Sequence, residues 1–199
     1  MSIRKVVKYG DPVLRQRAKE VSKISKKIQI LIHDMIDTMY AENGVGLAAP
    51  QVGESLRIFV IDPSPSNASA NPIVFINPKI IKKSGAVSSR ESCLSFPEAF
   101  ADVRRYENVM VKALDINGRP FVKEGKDGTL LAIVMQHEFD HLDGVLFVDH
   151  TRNRFETDNI LKEKNLPPLE IDKLLDETEM EEIILAKQAQ KTEDTKTEE

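Results

Sequence analysis

Asp127 to Asp143, DGTLLAIVMQHEFDHLD, decides how this chain is read. Leu130, Leu131, Ile133, Val134 and Met135 precede His137, and Phe139 and Leu142 follow it. A helix apolar on most sides is a buried central helix, and Gly144 supplies its stop. On such a helix His137 and His141 stand about 400° apart in rotation and about 6 Å apart along the axis, so both imidazoles face one point. Glu138 lies about 100° round from His137, beside that point, where it can contact a water. This is the HExxH pattern of a metal site with an adjacent general base. The competing reading is a pair of satisfied surface histidines with solvated acids. It fits poorly, because imidazoles and carboxylates on an apolar helix are costly unless paired, and a metal resolves that cost for the histidines. Asp140 reads either as a hydrogen-bond partner behind a ligand or as a solvated helix acid. His33 and His150 lack partners at metal spacing and read as structural, His33 on the first helix.

Two imidazoles leave a catalytic metal one protein ligand short, since such sites commonly use three plus water. Cys93 is the only thiol and lies in ESCLSFPE, a segment without regular signals. A free cysteine is usually core filler, and the spacing from Cys93 to His137 does not choose between the two roles.

Outward from the helix, Ile28, Leu31, Ile32, Met35, Ile36 and Met39 recur at helical spacing. They predict an amphipathic helix from about Ser25, its N-cap, to Glu42, ended by Asn43-Gly44. GVGLAAPQVG follows as a small-residue loop. Leu56 to Asp62 and Ile73 to Pro78 read as strands, separated by the surface loop PSPSNASANP. Asn108 to Leu114 and Pro120 to Lys123 flank Asn117-Gly118, the preferred pair for a type I′ hairpin turn. Ser/Thr, Pro and charge break the pattern after Gly144 to about Pro168. A last helix is expected from Leu169 to Gln190, ahead of the low-complexity KTEDTKTEE. Strands and helices come in runs, which predicts an α+β fold of mainly antiparallel strands wrapped around the central helix, with a C-terminal helix.

The 199 residues suit one domain with an appendage. The formal net charge of −4 gives no reason to expect direct nucleic-acid binding. Residues 169–199 hold 11 acidic and 4 basic side chains, leaving 24 basic and 21 acidic in residues 1–168. The division expected is therefore a catalytic domain, 1–168, and an acidic helix and tail, 169–199. A single cysteine permits no internal disulfide and suits a reducing compartment. No apolar run is long enough for a signal peptide or a membrane span, so a cytoplasmic protein is expected.

Three segments together resemble the signature motifs of the peptide deformylases: GVGLAAPQ (Gly44 to Gln51), ESCLS (Glu91 to Ser95) and QHEFDHL (Gln136 to Leu142). They stand in the family's order, and the likeness runs from VVKYGDPVLR to GVLFVDH. The resemblance implies hydrolysis of the formyl group from the N-terminal formyl-methionine of nascent polypeptides. It implies Cys93, His137 and His141 as ligands of one divalent metal, typically Fe2+, with Zn2+ or Ni2+ able to occupy the site. Glu138 would be the general acid/base. Gln51, through its side-chain N–H, and Leu94, through its backbone N–H, would hold the developing oxyanion. The backbone at Gly46 would pair with the substrate peptide. Val45, Leu130, Ile133 and Val134 would line the methionine pocket, and Glu91 and Arg105 would brace the cysteine loop as an ion pair.

The chain departs from the family pattern twice. The second motif usually reads EGCLS, and Ser92 stands at the glycine. A glycine there signifies positive φ or tight approach, in which case serine would displace Cys93; with ordinary backbone angles it changes little. Related bacterial enzymes often end in a basic helix that touches the ribosome, whereas Glu170 to Glu182 is acidic and would be repelled by RNA phosphates. Ribosome docking through this helix is therefore not expected. Its apolar residues Ile171, Leu174, Leu175, Ile183 and Ile184 either pack on the body or a partner, or belong to a solvated appendage. Two other functions remain to be separated: an HExxH metallopeptidase, and a degenerate deformylase-like binding protein, for which Ser92 is the one support.

Overall fold

A computed structural model of the chain describes residues 2–64 and 71–197, the side chains of 189 and 191–197 excepted. The surface loop expected between the second and third strands lies mostly outside the described residues, as do the last two residues of the tail.

Helix α1 (Lys26–Ala41) forms where the apolar spacing predicts it. Ser25 accepts a hydrogen bond from the Ile28 N–H at its start, and Asn43 takes φ 56° just past its end. A five-stranded antiparallel sheet follows the order β1 (Gly46–Ala48), β2 (Ile58–Ile61), β3 (Ile73–Ser84), β6 (Asn108–Leu114), β7 (Pro120–Gly125). Strand β2 is buried on both faces and shows how the layers assemble. Its Ile58 and Val60 pack with Leu31, Ile32, Met35 and Met39 of α1. Its Phe59 and Ile61 pack with Ala132, Val134, Met135 and Leu142 of α2 (Leu130–Asp143). The sheet thus lies between the two helices, and α2 is the buried central helix. Gly144 ends α2 at φ 73°, with the Arg15 carbonyl where a Cβ would stand.

Five elements differ from the sequence reading. The stretch read as a small-residue loop holds strand β1 and a 3-10 turn, Ala49–Val52. The turn between β6 and β7 is a five-residue connection, 115–119, because Leu114 pairs with Pro120. Gly118 has φ 78° while Asn117 keeps ordinary φ, so the type I′ turn does not form. Asp115 Oδ1 instead accepts from the N–H groups of Asn117 and Arg119, both at 2.8 Å. The segment without signals is a two-stranded antiparallel hairpin, β4 (Val87–Cys93) and β5 (Phe96–Arg105). A further helix, α3 (Arg154–Glu163), occupies the stretch read as broken, capped by Asn153. The last helix, α4 (Thr178–Thr197), starts nine residues later than the expected Leu169, after a short 3-10 turn at Ile171–Lys173.

The C-terminal segment packs on the body. Leu169 joins the core formed by the hairpin, α3 and Phe147, while Met180 and Ile184 of α4 pack against Ala86. Glu181 is held by Arg104 at 2.8 Å and Arg152 at 2.5 Å. Of the apolar residues that suggested packing, Ile184 is buried, while Ile171 and Leu175 stay exposed. No helix among the described residues is long and apolar enough to cross a membrane.

Candidate metal centre

Helix α2 carries His137, Glu138 and His141, all buried. The β4–β5 hairpin brings Cys93 to them from the last residue of β4. One ligand atom from each of Cys93, His137 and His141 lies within 4.8 Å of the other two. Cys93 Sγ stands 3.3 Å from His141 Nε2. Gln51, on the 3-10 turn Ala49–Val52, is fixed by the Ala48 N–H, which donates to its Oε1 at 2.8 Å. Its Nε2 stands 3.3 Å from Cys93 Sγ and 3.4 Å from Ser95 Oγ. Leu94 and Ser95 form the turn of the hairpin, and the Ser95 N–H points at the sulfur, 3.4 Å away.

The donor set fits a divalent metal. One thiolate and two neutral imidazoles would leave the ion singly positive, in the geometry of a three-ligand catalytic site. Burial, with His137 close by, pushes the His141 pKa well below its usual value, which favours the neutral ring that a metal ligand needs. Among the described residues, His141 Nδ1, Glu138 Oε2 and Glu177 Oε2 are buried without a hydrogen-bond partner. Glu138 lines the same cleft as Cys93 and His137, where a water would satisfy its oxygen. Burial raises the Glu138 carboxyl to about 7, against the opposing pull of His137. Gly46 makes room for this carboxylate: a Cβ there would collide with Glu138 Oε1.

Behind His137 runs a chain of buried charged groups. Glu91 Oε2 receives His137 Nδ1 at 2.8 Å, which fixes the tautomer and leaves Nε2 toward the ligand cluster. Arg105, 2% exposed, grips Glu91 with Nε and Nη2 at 2.8 and 2.9 Å. Burial would raise the Glu91 pKa, but Arg105 and His137 hold it at about 2. Arg105 Nη1 also reaches Asp140 Oδ2 at 2.5 Å. Asp140 is thus a paired acid rather than a solvated one. The same oxygen meets His150 Nε2 at 2.9 Å, and His150 Nδ1 meets Glu177 Oε1 at 2.8 Å. His150, read from sequence as structural, stands between two carboxylates.

That placement has a consequence for stability. Burial and Arg105 oppose protonation of His150, but Asp140 and Glu177 raise its pKa from 6.5 to about 9. Protonation in the folded state then adds stability, at most about 3 kcal/mol, that is complete below pH 6.5 and lost as the pH rises through about 9. Urea unfolding at pH 6, 7.5 and 9.5 is expected to show this decline in the parent and a flatter profile in His150→Gln.

Cys93 and His137 open onto a cleft of about 510 Å³, within the range of small-ligand sites. Val45, Gly46, Leu130, Ile133 and Val134 all line it, with Leu94, His137 and Glu138. Ile133 and Val134 are buried, and Leu130 is half-exposed at the rim. Arg90, which the sequence did not single out, lines the same cleft.

Ser92 is paired with Phe100 in the β4–β5 ladder, exposed, with no positive φ. The backbone there makes no demand that only glycine meets. Ser92→Gly is therefore expected to change turnover by less than about threefold and stability by about 0.5 kcal/mol or less. Steady-state rates and unfolding midpoints for the pair check this.

The chain is similar to known proteins over most of its length. Residues 3–156 match the family model described as polypeptide deformylase. The peptide deformylase of Dictyoglomus thermophilum is 52% identical over 147 residues, covering 74% of this chain and 92% of that protein. Peptide deformylase 1 of Clostridium perfringens is 47% identical over 150 residues, 75% of this chain and 99% of that one. The crystal structure of a Synechococcus elongatus peptide deformylase in complex with actinonin superposes with a TM-score of 0.81 at 42% identity, covering 86% of this chain and 91% of that one. The Thermotoga maritima enzyme gives 0.71 at 41% identity, covering 77% and 100%. With a family model spanning most of its length, and relatives at about half identity over nearly their whole chains, this chain belongs to the polypeptide deformylase family.

Proposed function

We propose that this chain hydrolyses the formyl group from the N-terminal formyl-methionine of new polypeptides, releasing formate, with Cys93, His137 and His141 holding one divalent metal. One observation carries the reading: three ligand atoms gathered within 4.8 Å, beside a buried carboxylate that has an oxygen without a partner. Fe2+ is the ion proposed on the family resemblance, and soft thiolate with imidazole suits Zn2+ and Ni2+ as well. Bound there, such an ion supplies Lewis-acid polarisation of the formyl oxygen and a water activated at neutral pH.

The chain's own groups do the rest. Glu138 takes a proton from the water as it attacks the formyl carbon and returns it to the departing amine. A carboxyl held near 7 exchanges protons readily in both directions at neutral pH. Gln51 Nε2 and the Leu94 N–H donate to the oxygen on which negative charge develops. Strand β1 is an edge of the sheet, and Gly46 lines the cleft, so the substrate backbone pairs there as an added strand. Val45, Leu130, Ile133 and Val134 receive the methionine side chain, which needs an apolar wall. Glu91 and Arg105 hold His137 and the hairpin in register. Residues 1–168 form the catalytic unit in this reading and 169–199 an acidic C-terminal extension. The site of action proposed is the cytoplasm, where nascent chains carry the formyl group. Ribosome contact through α4 is not part of the proposal, since Glu181 is already engaged by Arg104 and Arg152.

The matches reported above favour neither the metallopeptidase nor the binding-protein alternative. The test is formate release by iron-loaded protein under anaerobic conditions from a formyl-methionyl tripeptide, beside its acetyl counterpart and a longer unformylated peptide. Formate from the first alone is expected. Internal cleavage without formate would favour the metallopeptidase, and fully metallated protein without turnover would favour a binding role.

A further inference from the structure

We infer that Glu177, in the C-terminal segment, is a positioning residue for the metal centre, acting on His137 through His150, Asp140, Arg105 and Glu91. The inference rests on the metal-centre reading above. Five contacts of 2.5–2.9 Å join Glu177 to His137 without a break. Acid and base alternate along it, so each cation lies between two carboxylates. With a carboxylate at each ring nitrogen, His150 donates from both and carries a positive charge.

Two shared oxygens make the chain mechanically continuous. Asp140 Oδ2 accepts from both His150 Nε2 and Arg105 Nη1. Glu91 Oε2 accepts from both Arg105 Nη2 and His137 Nδ1. A shift at either oxygen is therefore felt on both sides of it. Glu177 is the outermost link and the one that the body does not supply. It is carried into place by the Leu175 N–H, which donates to the Asp149 carbonyl at 3.0 Å, and by the docking of α4 just beyond it. Without its carboxylate, Nδ1 of a buried imidazolium has no acceptor and Asp140 alone must orient the ring. Groups bonded directly to a metal ligand commonly change metal affinity by about 10–100-fold when removed, and Glu177, which acts on that contact through four others, sets a smaller part of it.

Glu181 separates this role from simple docking. It lies one turn further along the same segment and binds Arg104 and Arg152, outside the chain. Cobalt(II)-substituted protein would be followed by its thiolate-to-cobalt absorption and by its rate of cobalt release to a chelator, for the parent, Glu177→Ala and Glu181→Ala. Expected are a thiolate band in the parent, release about threefold or more faster from Glu177→Ala, below the effect of losing a direct partner of the ligand, and a parent-like release rate from Glu181→Ala even though both variants melt earlier. Equal release from Glu177→Ala and parent, or equally fast release from both variants, would overturn the inference while leaving the metal centre intact. No thiolate band in the parent would instead remove the metal centre itself, and the inference with it.

Discussion

Replacing Glu138 by alanine is expected to lower kcat/KM for a formyl-methionyl peptide by about 10²–10⁴-fold, the usual range for a positioned general acid/base. The metal should stay bound, because Glu138 is not among the gathered ligands. Several features converge on this carboxylate. Burial raises it to about 7, one oxygen has no partner among the described residues, and Gly46 lacks the Cβ that would displace it. The variant should also lose the pH dependence that proton transfer through this group imposes on the rate. Formate release and metal content, measured on the same preparations, check the prediction. A loss below about tenfold with full metal content would mean that another group moves the proton.

Arg105→Met should produce the largest loss of stability. Arg105 is fully buried and holds two buried carboxylates, Glu91 and Asp140. Removing one partner of a buried ionic cluster typically costs about 3–5 kcal/mol, because the partners left behind are uncompensated charges. Glu91 would lose the group that chiefly opposes its desolvation, and His137 the carboxylate geometry that fixes its tautomer. Metal retention is therefore expected to fall together with stability. A second change, Glu91→Gln, should return part of the lost stability by removing one stranded charge, a coupling that the double-mutant cycle reads directly. Urea unfolding of the single and double variants measures both. A loss below about 1 kcal/mol for Arg105→Met would mean that water or rearrangement replaces the guanidinium.

The parts of the fold legible in the sequence are those built by apolar periodicity and local caps. Ser25 and Asn43 bound α1, and the apolar residues before His137 place α2 in the core, because in both cases burial follows the helical repeat. The β4–β5 hairpin was not legible for a physical reason. Its inward positions include Glu91, Cys93 and Arg105, so residues that serve the centre replace the apolar alternation that marks a strand. Helix α3 buries only Thr157 and Leu161 and leaves Phe155 exposed, too thin a stripe to register as periodic. At the site, the HExxH spacing alone brings His137, Glu138 and His141 together. Cys93 joins them through a hairpin 44 residues earlier in the chain, which local sequence does not reveal and the family motifs do. The partners of His150 come from α2 and from the C-terminal segment. Only the folded chain brings those together. That segment read either as packed on the body or a partner or as a solvated appendage, and Glu177 and Glu181 bind cations of the body.

X-ray absorption at the metal edge of the zinc-loaded protein tests the metal centre most directly. The account predicts a single sulfur at about 2.3 Å and two imidazole nitrogens at about 2.0–2.1 Å, with one further light atom completing four-coordination. The sulfur should vanish in Cys93→Ala. A parent spectrum without sulfur, or with only one imidazole, would contradict the centre built from Cys93, His137 and His141.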